Sequence, residues 1–201
     1  MLFRSILMRS IWLHPQRRPD PMANREELLI IRAARAGTAA AQLALGKRYL
    51  FGGSGLPQSH ATALHWLEKA AENNQSDAWM LIGAHVPFEV ASNTGNALRV
   101  AFWYERAFDG GIPKAGLVLA MLVLSCWNRA DHSLRNKAMR ALQAAAEAGL
   151  SDAQWLLAQQ LGMQGDGFAH PAGTRQLPAG QQIHAAIEWT TRAAKGGVTD
   201  A

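Results

Sequence analysis

Cysteine and charged residues are both scarce in this chain of 201 residues. Cys126 is the only cysteine, which excludes an intrachain disulfide. Charged residues make up 17% of the sequence and hydrophobic residues 49%, a balance typical of a well-packed globular protein and not of a disordered tail. β-Branched residues are sparse and alanine is abundant, so the composition favours closely packed helices over sheets.

The excess of positive charge is concentrated at the N-terminus. Of the formal net charge of +5, residues 1–24 carry +3, because they contain four arginines and Asp20 is their only acidic residue. The remaining +2 is spread among interspersed charges of both signs. A protein surface that binds nucleic acid needs clustered lysines and arginines, so no nucleic-acid partner is predicted.

Residues 1–24 form a basic leader that is predicted to be disordered, because prolines at positions 15, 19 and 21 oppose a continuous helix. Its apolar stretches are too short for a secretory signal or a membrane-spanning helix, which predicts a cytoplasmic protein. An alternative is membrane contact. The apolar residues at positions 2, 3, 6 and 7 share one helical face away from the arginines, a pattern that suits an anionic membrane surface.

The sequence repeats itself with a period of 37 or 38 residues. Four similar segments each start with alanine and end in glycine or alanine: Ala41–Gly46, Ala78–Gly83, Ala115–Ala120 and Ala153–Ala158. A second recurring block, typified by Trp66-Leu-Glu-Lys-Ala-Ala71, closes each unit. The recurrence predicts a solenoid over residues 25–201: a half-unit cap at 25–37, then units at about 38–74, 75–111, 112–149 and 150–197.

Each unit is predicted to contain two helices, A and B. In the first unit, helix A is expected from Thr38 to Phe51 and helix B from Ser59 to Asn73, with a glycine-rich break between them. Ser59 is a candidate N-cap for helix B, and Asp77 and Asp152 are candidates for the A helices that follow. Neither helix can bury its apolar stripe alone, so the units must stack.

Tryptophan residues recur at the same position of helix B. Trp66, Trp103 and Trp189 each lie four residues before an alanine of the closing block, so we expect them to fill the core between helices A and B. The apolar run at 115–127 is too short to span a membrane and is expected to be a buried A helix, with Cys126 as a small core residue.

The first unit carries the pattern Ala-x3-Leu-Gly-x2-Tyr-x2-Gly, followed by Ala63-Leu-His-Trp66-x3-Ala-Ala71. This pattern resembles the Sel1-like repeat family, close relatives of tetratricopeptide repeats, and the resemblance extends from about Glu26 to the end. Two units depart from it, since Val86-Pro87 replaces an aromatic residue and a glycine turn, and Ala141 replaces a tryptophan. The resemblance implies an all-α fold, a right-handed α-solenoid that serves as a scaffold or adaptor for partner proteins.

If the A helices line the concave side, as the tetratricopeptide resemblance implies, the positions two and six residues after each opening alanine point inward. They would form a mostly apolar groove for an amphipathic helix or an extended peptide. In the alternative, these residues pack against the adjacent unit. The predicted groove residues are Leu43, Lys47, Met80, Leu117, Met121, Trp155 and Gln159, with Lys47 and Gln159 setting the register of the partner.

No catalytic or metal-binding pattern is present in the sequence. The histidines lack His-x3-His spacing, no nucleophile elbow occurs, and the carboxylates are scattered. We therefore predict a non-enzymatic protein-interaction scaffold without a metal or cofactor. The alternative function is an envelope-associated or secretion-linked assembly factor whose leader touches the membrane. An insertion at 165–180 lengthens the fourth unit and is expected to be a tolerated loop, with a recognition loop as the alternative.

Overall fold

Helices account for most of the backbone in the computed structural model, which describes residues 21–53, 55–163 and 179–198. The only strand-like contact within these ranges is an isolated bridge between Gly53 and Leu56. A 3-10 turn covers Trp127–Arg129. The α-helices are α1 Pro21–Arg35, α2 Ala39–Phe51, α3 His60–Glu72, α4 Ser76–His85, α5 Phe88–Ser92, α6 Ala97–Asp109, α7 Pro113–Ser125, α8 His132–Glu147, α9 Ser151–Met163 and α10 Ala179–Lys195.

The helices pack as a series of consecutive pairs. α2 packs on α3, α4 on α6, α7 on α8 and α9 on α10, while α1 packs on α2 at the start of the array. Adjacent pairs meet through the contacts of α3 with α4, α6 with α7, and α8 with α9. The predicted all-α solenoid is therefore confirmed. The ends of α2 and α3 lie within one residue of the predicted ends, whereas the short helix α5 was not predicted. We call α2, α4, α7 and α9 the A helices, and α1, α3, α6, α8 and α10 the B helices.

The same turn ends every B helix. The second residue after the end of each helix adopts a positive φ, and the N–H of the residue that follows it bonds back to the carbonyl of an alanine five residues earlier. This geometry is the Schellman motif, which favours glycine because a Cβ is strained at positive φ. The residues at positive φ are Gly37, Asn74, Gly111, Gly149 and Gly197. Their spacing follows the sequence repeat, so the turn aims each new A helix in the same way.

The predicted N-caps are only partly correct. The Ser59 Oγ accepts the Thr62 N–H at 3.3 Å and caps α3, as expected. Asp77 and Asp152 are not caps, because each lies inside the first turn of its helix. The turn after α3 places Gln75 in the cap position of α4. A carboxylate in the first turn still interacts favourably with the positive end of the helix dipole.

The three equivalent tryptophans differ in burial, which corrects the prediction that all of them fill the core. Trp103 is 7% exposed and stacks in parallel on Trp79 of helix A, with ring centroids 6.4 Å apart. Trp66 and Trp189 are only half-buried. In their units, the position of Trp79 is held by a glutamine, Gln42 or Gln154. Each glutamine binds the carbonyl of an alanine in the preceding B helix and offers no ring to stack on.

Helix α7 lies in the middle of the array, as the apolar run at 115–127 indicated. Eight of its thirteen residues are buried. Cys126 is half-buried just beyond the end of α7, where its Sγ lies 3.0 Å from the Leu122 carbonyl oxygen. The prediction of Cys126 as a core residue was therefore wrong, because the helix ends one residue before it and turns it out of the packed interior.

Charged clusters join neighbouring B helices at two junctions. Arg99 of α6 contacts Glu68 at 3.0 Å and Glu72 at 4.0 Å, both on α3. One unit later, Lys137 of α8 contacts Glu105 and Asp109 of α6. In each cluster, which we call a clamp, one cation bridges two carboxylates one helical turn apart. The hydrogen bond from Lys137 to Glu105 raises the pKa of Lys137.

Glu68 is the buried member of the first clamp. It is 6% exposed, and burial raises its pKa against the opposing effect of Arg99. The indole Nε1 of Trp103 approaches the same carboxylate without reaching hydrogen-bond geometry. The folded protein therefore binds the Glu68 proton more tightly than the unfolded chain does.

We expect the free energy of unfolding of the Glu68→Gln variant to rise relative to that of the wild type as the pH rises. Because the unfolded chain binds fewer protons at Glu68, wild-type stability falls as the pH rises from the ordinary glutamate pKa through the raised one. Glutamine does not titrate. Urea unfolding of both proteins below and above this range measures the difference. Glu72→Gln, at the exposed carboxylate of the same clamp, is the control, and a pH-independent difference for Glu68→Gln would contradict the argument.

Two sequence predictions fall on residues that the structure does not describe. Most of the basic leader, with its alternative of membrane contact, lies in residues 1–20, although helix α1 begins at Pro21. Most of the insertion at 165–180 likewise lies outside the described residues.

Candidate partner-binding surface

A shallow depression of about 260 Å³ lies on the side of the array formed by the A helices. We call it the Met80 depression. Its lining combines apolar side chains with one ion pair at the rim, and it draws on α2, α4 and the turn before α7. The lining residues are Lys47, Asp77, Met80, Leu81, Ala84 and Ile112.

The ion pair at the rim is weak. Lys47 Nζ lies 3.4 Å from Asp77 Oδ2, and the two side chains are 44% and 66% exposed. Exposed pairs of this kind contribute about 0–1 kcal/mol to stability. The pair spans from α2 to α4, so both charges stand beside the apolar floor and remain accessible to a partner.

The structure brings two of the seven predicted groove residues, Lys47 and Met80, into the Met80 depression. Met80 is half-buried, and its sulfur lies against the backbone at Gly110. Ala84, which also occupies an inward position of the predicted register, completes the α4 side of the depression.

The other five predicted residues lie elsewhere on the A helices. Leu43 is half-buried and packs on the larger hydrophobic cluster. Leu117 is 8% exposed and packs, together with the half-buried Met121, on the cluster around α8 and α9. Trp155 is half-buried and Gln159 is exposed, both on α9. Leu117 therefore offers little surface to a partner.

Sequence reasoning missed three residues of the depression: Asp77, Leu81 and Ile112. Asp77 was assigned to a cap, and Leu81 follows Met80 but lies outside the inward register. Ile112 follows Gly111 in the turn that ends α6. A hydrophobic residue at this place of a Schellman motif commonly packs back on the helix, so the Gly-Ile pair was a usable signal.

An aromatic contact joins the C-terminal ends of α2 and α4. Phe51, the last residue of α2, is 55% exposed, and its ring meets the edge of the His85 ring at the end of α4, with centroids 5.0 Å apart. The C-terminal ends of α2 and α4 thus carry exposed aromatic surface.

Among the residues described, no three His, Cys, Asp or Glu side chains are grouped so that they could hold a metal ion. Within the same ranges, no helix combines the length and the apolar character that crossing a membrane requires.

Comparison with known protein families identifies two of the four units. Residues 39–75 and 151–198 match the model of the Sel1 repeat. No curated protein sequence matches the chain significantly.

Two solved structures share the fold. A Sel1 repeat protein from Oxalobacter formigenes is 26% identical with a TM-score of 0.52, and the match covers 87% of this chain and 65% of that one. A protective antigen of uropathogenic Escherichia coli strains displays an SLR (Sel1-like repeat) fold and is 24% identical to this chain, with a TM-score of 0.51. That match covers 86% of this chain and 33% of the antigen. The chain thus spans less than two thirds of either relative. Two segments of the chain thus match the Sel1 repeat, and the stacked helical pairs have the fold of solved Sel1-repeat proteins.

Proposed function

We propose that this Sel1-repeat protein is a non-enzymatic scaffold that holds a segment of a partner protein against its A-helix side, in a concave groove centred on the Met80 depression. Sel1 repeats generally mediate contacts between proteins, which supports a protein partner. The observation that carries the proposal is the combination of an apolar floor with an accessible ion pair at its rim.

The partner segment is expected to insert an aliphatic or aromatic side chain between Met80, Leu81 and Ile112. Burial of apolar surface would supply most of the affinity, because a few well-packed anchors dominate most interfaces. Methionine is flexible and polarizable, so Met80 adapts to partner side chains of different shapes. Lys47 and Asp77 would pair with polar groups of the segment and set its register.

Selection of displayed random peptides on the full chain provides ligands with which to test the proposal. We expect Met80→Glu to lower the affinity for the selected peptides by about tenfold or more. A carboxylate at the floor of the Met80 depression must be desolvated when the apolar side chain of the peptide binds. Met139→Glu is the matched control, since Met139 is also half-buried but lies on a B helix. Fluorescence anisotropy measures the affinity, and circular dichroism establishes that both variants fold.

A charge-reversal variant gives a second test that leaves the floor intact. Lys47→Glu changes an exposed rim side chain and is expected to alter which peptides bind, with a smaller loss of affinity than Met80→Glu. Peptides that bind the wild type, Met80→Glu and Lys47→Glu equally would refute the proposed site.

A further inference from the structure

Two clefts open between neighbouring B helices, away from the A-helix side. The first, of about 430 Å³, lies among α3, α5 and α6. Leu64 and Val90 form its apolar wall, and Asn93 lies at its rim. The second, about 300 Å³, lies between α6 and α8, where Leu98 and Phe102 contribute the apolar wall. The first clamp lines one cleft through Glu68 and Arg99, and the second lines the other through Glu105 and Lys137.

The two clefts occupy equivalent places in successive repeats. His65 in the first cleft and Phe102 in the second are 37 residues apart, as are Glu68 and Glu105. The clefts therefore lie one repeat apart along the array, which offers two similar sites to one extended partner.

Each cleft borders a local excess of negative charge on a chain whose net charge is +5. In each clamp one carboxylate, Glu72 or Asp109, stands just outside the lining of the cleft. Each clamp places one cation between two carboxylates, which leaves a formal charge of −1. Asp131 adds a further carboxylate at the second cleft. The guanidinium of Arg106 lies 5.1 Å from the centroid of the Phe102 ring. Its positive charge offsets the charge of Asp131 but not the net negative charge of the clamp.

Exposed apolar surface accompanies this charge. Phe102 is 45% exposed at the edge of the second cleft, although an aromatic ring of this size usually finds cover in a folded protein. Its equivalent in the first cleft, His65, is also exposed. Aromatic and aliphatic anchors beside a charged rim are typical of protein–protein interfaces.

We propose that the two B-helix clefts form a second docking surface for a partner segment in which lysine or arginine residues alternate with aliphatic or aromatic ones. The apolar side chains of the segment enter the clefts beside Leu64 and Phe102. Its cations pair with the carboxylates that each clamp holds in excess. The inference is independent of the proposed function, because the clefts share no residue with the Met80 depression.

The test measures binding of three fluorescent octapeptides to the full chain: alternating lysine–leucine, glutamate–leucine and lysine–serine. The lysine–leucine peptide is expected to bind about tenfold tighter than either of the others, since it alone supplies both charge and apolar side chains. No binding of this peptide, or equal binding of the glutamate–leucine peptide, would overturn the proposal.

Variants at exposed positions localise the binding. Asn93→Arg and Ser133→Arg add a repelling charge at the two rims, and Phe102→Ser removes the exposed ring. Each substitution is expected to lower the affinity for the lysine–leucine peptide several-fold. Ala148→Arg adds the same charge at the far end of α8 and is the control. An equal effect of Ala148→Arg would indicate bulk charge only and overturn the proposal. Loss of binding in Met80→Glu would move the peptide to the A-helix side, refuting the clefts while leaving the proposed function standing.

Discussion

Replacing Tyr104 by alanine is expected to lower the free energy of unfolding by about 3–5 kcal/mol, the usual cost of deleting a buried aromatic side chain. Tyr104 is fully buried among the helices of the second unit, and burial raises its pKa. Its hydroxyl donates a hydrogen bond of 2.8 Å to the Val86 carbonyl, where α4 ends before Pro87. The substitution therefore opens a cavity and leaves that carbonyl without its donor.

Tyr104→Phe separates the two contributions. It keeps the ring and removes only the hydroxyl, so we expect a loss of about 1–3 kcal/mol for the unpaired carbonyl. Urea unfolding followed by circular dichroism measures both variants. A loss below about 1 kcal/mol in Tyr104→Ala would mean that the second unit does not pack around this ring.

Gly83→Ala is expected to destabilise the protein by about 1–3 kcal/mol through overpacking. Gly83 lies where α4 packs closely against α6 and α7. A Cβ at this position would collide with the Cβ of Ala107 on α6 and lie 2.9 Å from the Cβ of Ala115 on α7. Both of those atoms are fixed to helix backbones, so relief requires the helices to move apart.

Gly162→Ala is the matched control for Gly83→Ala. Gly162 lies in α9, and an added Cβ would meet no atom within 4 Å. Alanine there restricts the unfolded chain without a steric penalty, so we expect it to stabilise the protein by about 0.4–1 kcal/mol. Thermal unfolding distinguishes the two variants by the direction of the shift in Tm. A Tm that rises in both would exclude close packing at Gly83.

The repeat made most of the helix positions predictable, because each pair repeats both the small residues at its closest approach and the turn that ends it. Burial within a pair was less predictable. Trp66 and Trp103 occupy the same position in their units, yet only Trp103 meets a second indole across the pair. The degree of burial depends on the residue that faces each tryptophan, and a pattern read along one helix does not contain that information.

Features that depend on long-range contact were also missed. Each clamp joins residues that lie about 30 positions apart, which is not the period of the repeat. Both signs of charge are common on exposed helix faces, so spacing alone does not single out Arg99 or Lys137. Helix α5 occupies the place where Val86-Pro87 departs from the repeat, and that departure indicated a change without indicating a helix. At the Met80 depression, the inward register identified Met80 and Lys47, but the rim partner Asp77 required the packing of α2 against α4.

The clamps do not continue to the last unit. In α8, the positions equivalent to Glu105 and Asp109 are Gln143 and Glu147, which bond to each other at 2.9 Å, and the position equivalent to Lys137 in α10 is Ala185. No ion pair joins α8 to α10 in the described part of the chain. In a quasi-one-dimensional array, each interface contributes its own coupling energy. The coupling of the final helical pair to the array therefore comes from apolar packing of α9 and α10 on α7 and α8, so it is expected to depend less on salt concentration than the coupling at the two clamps.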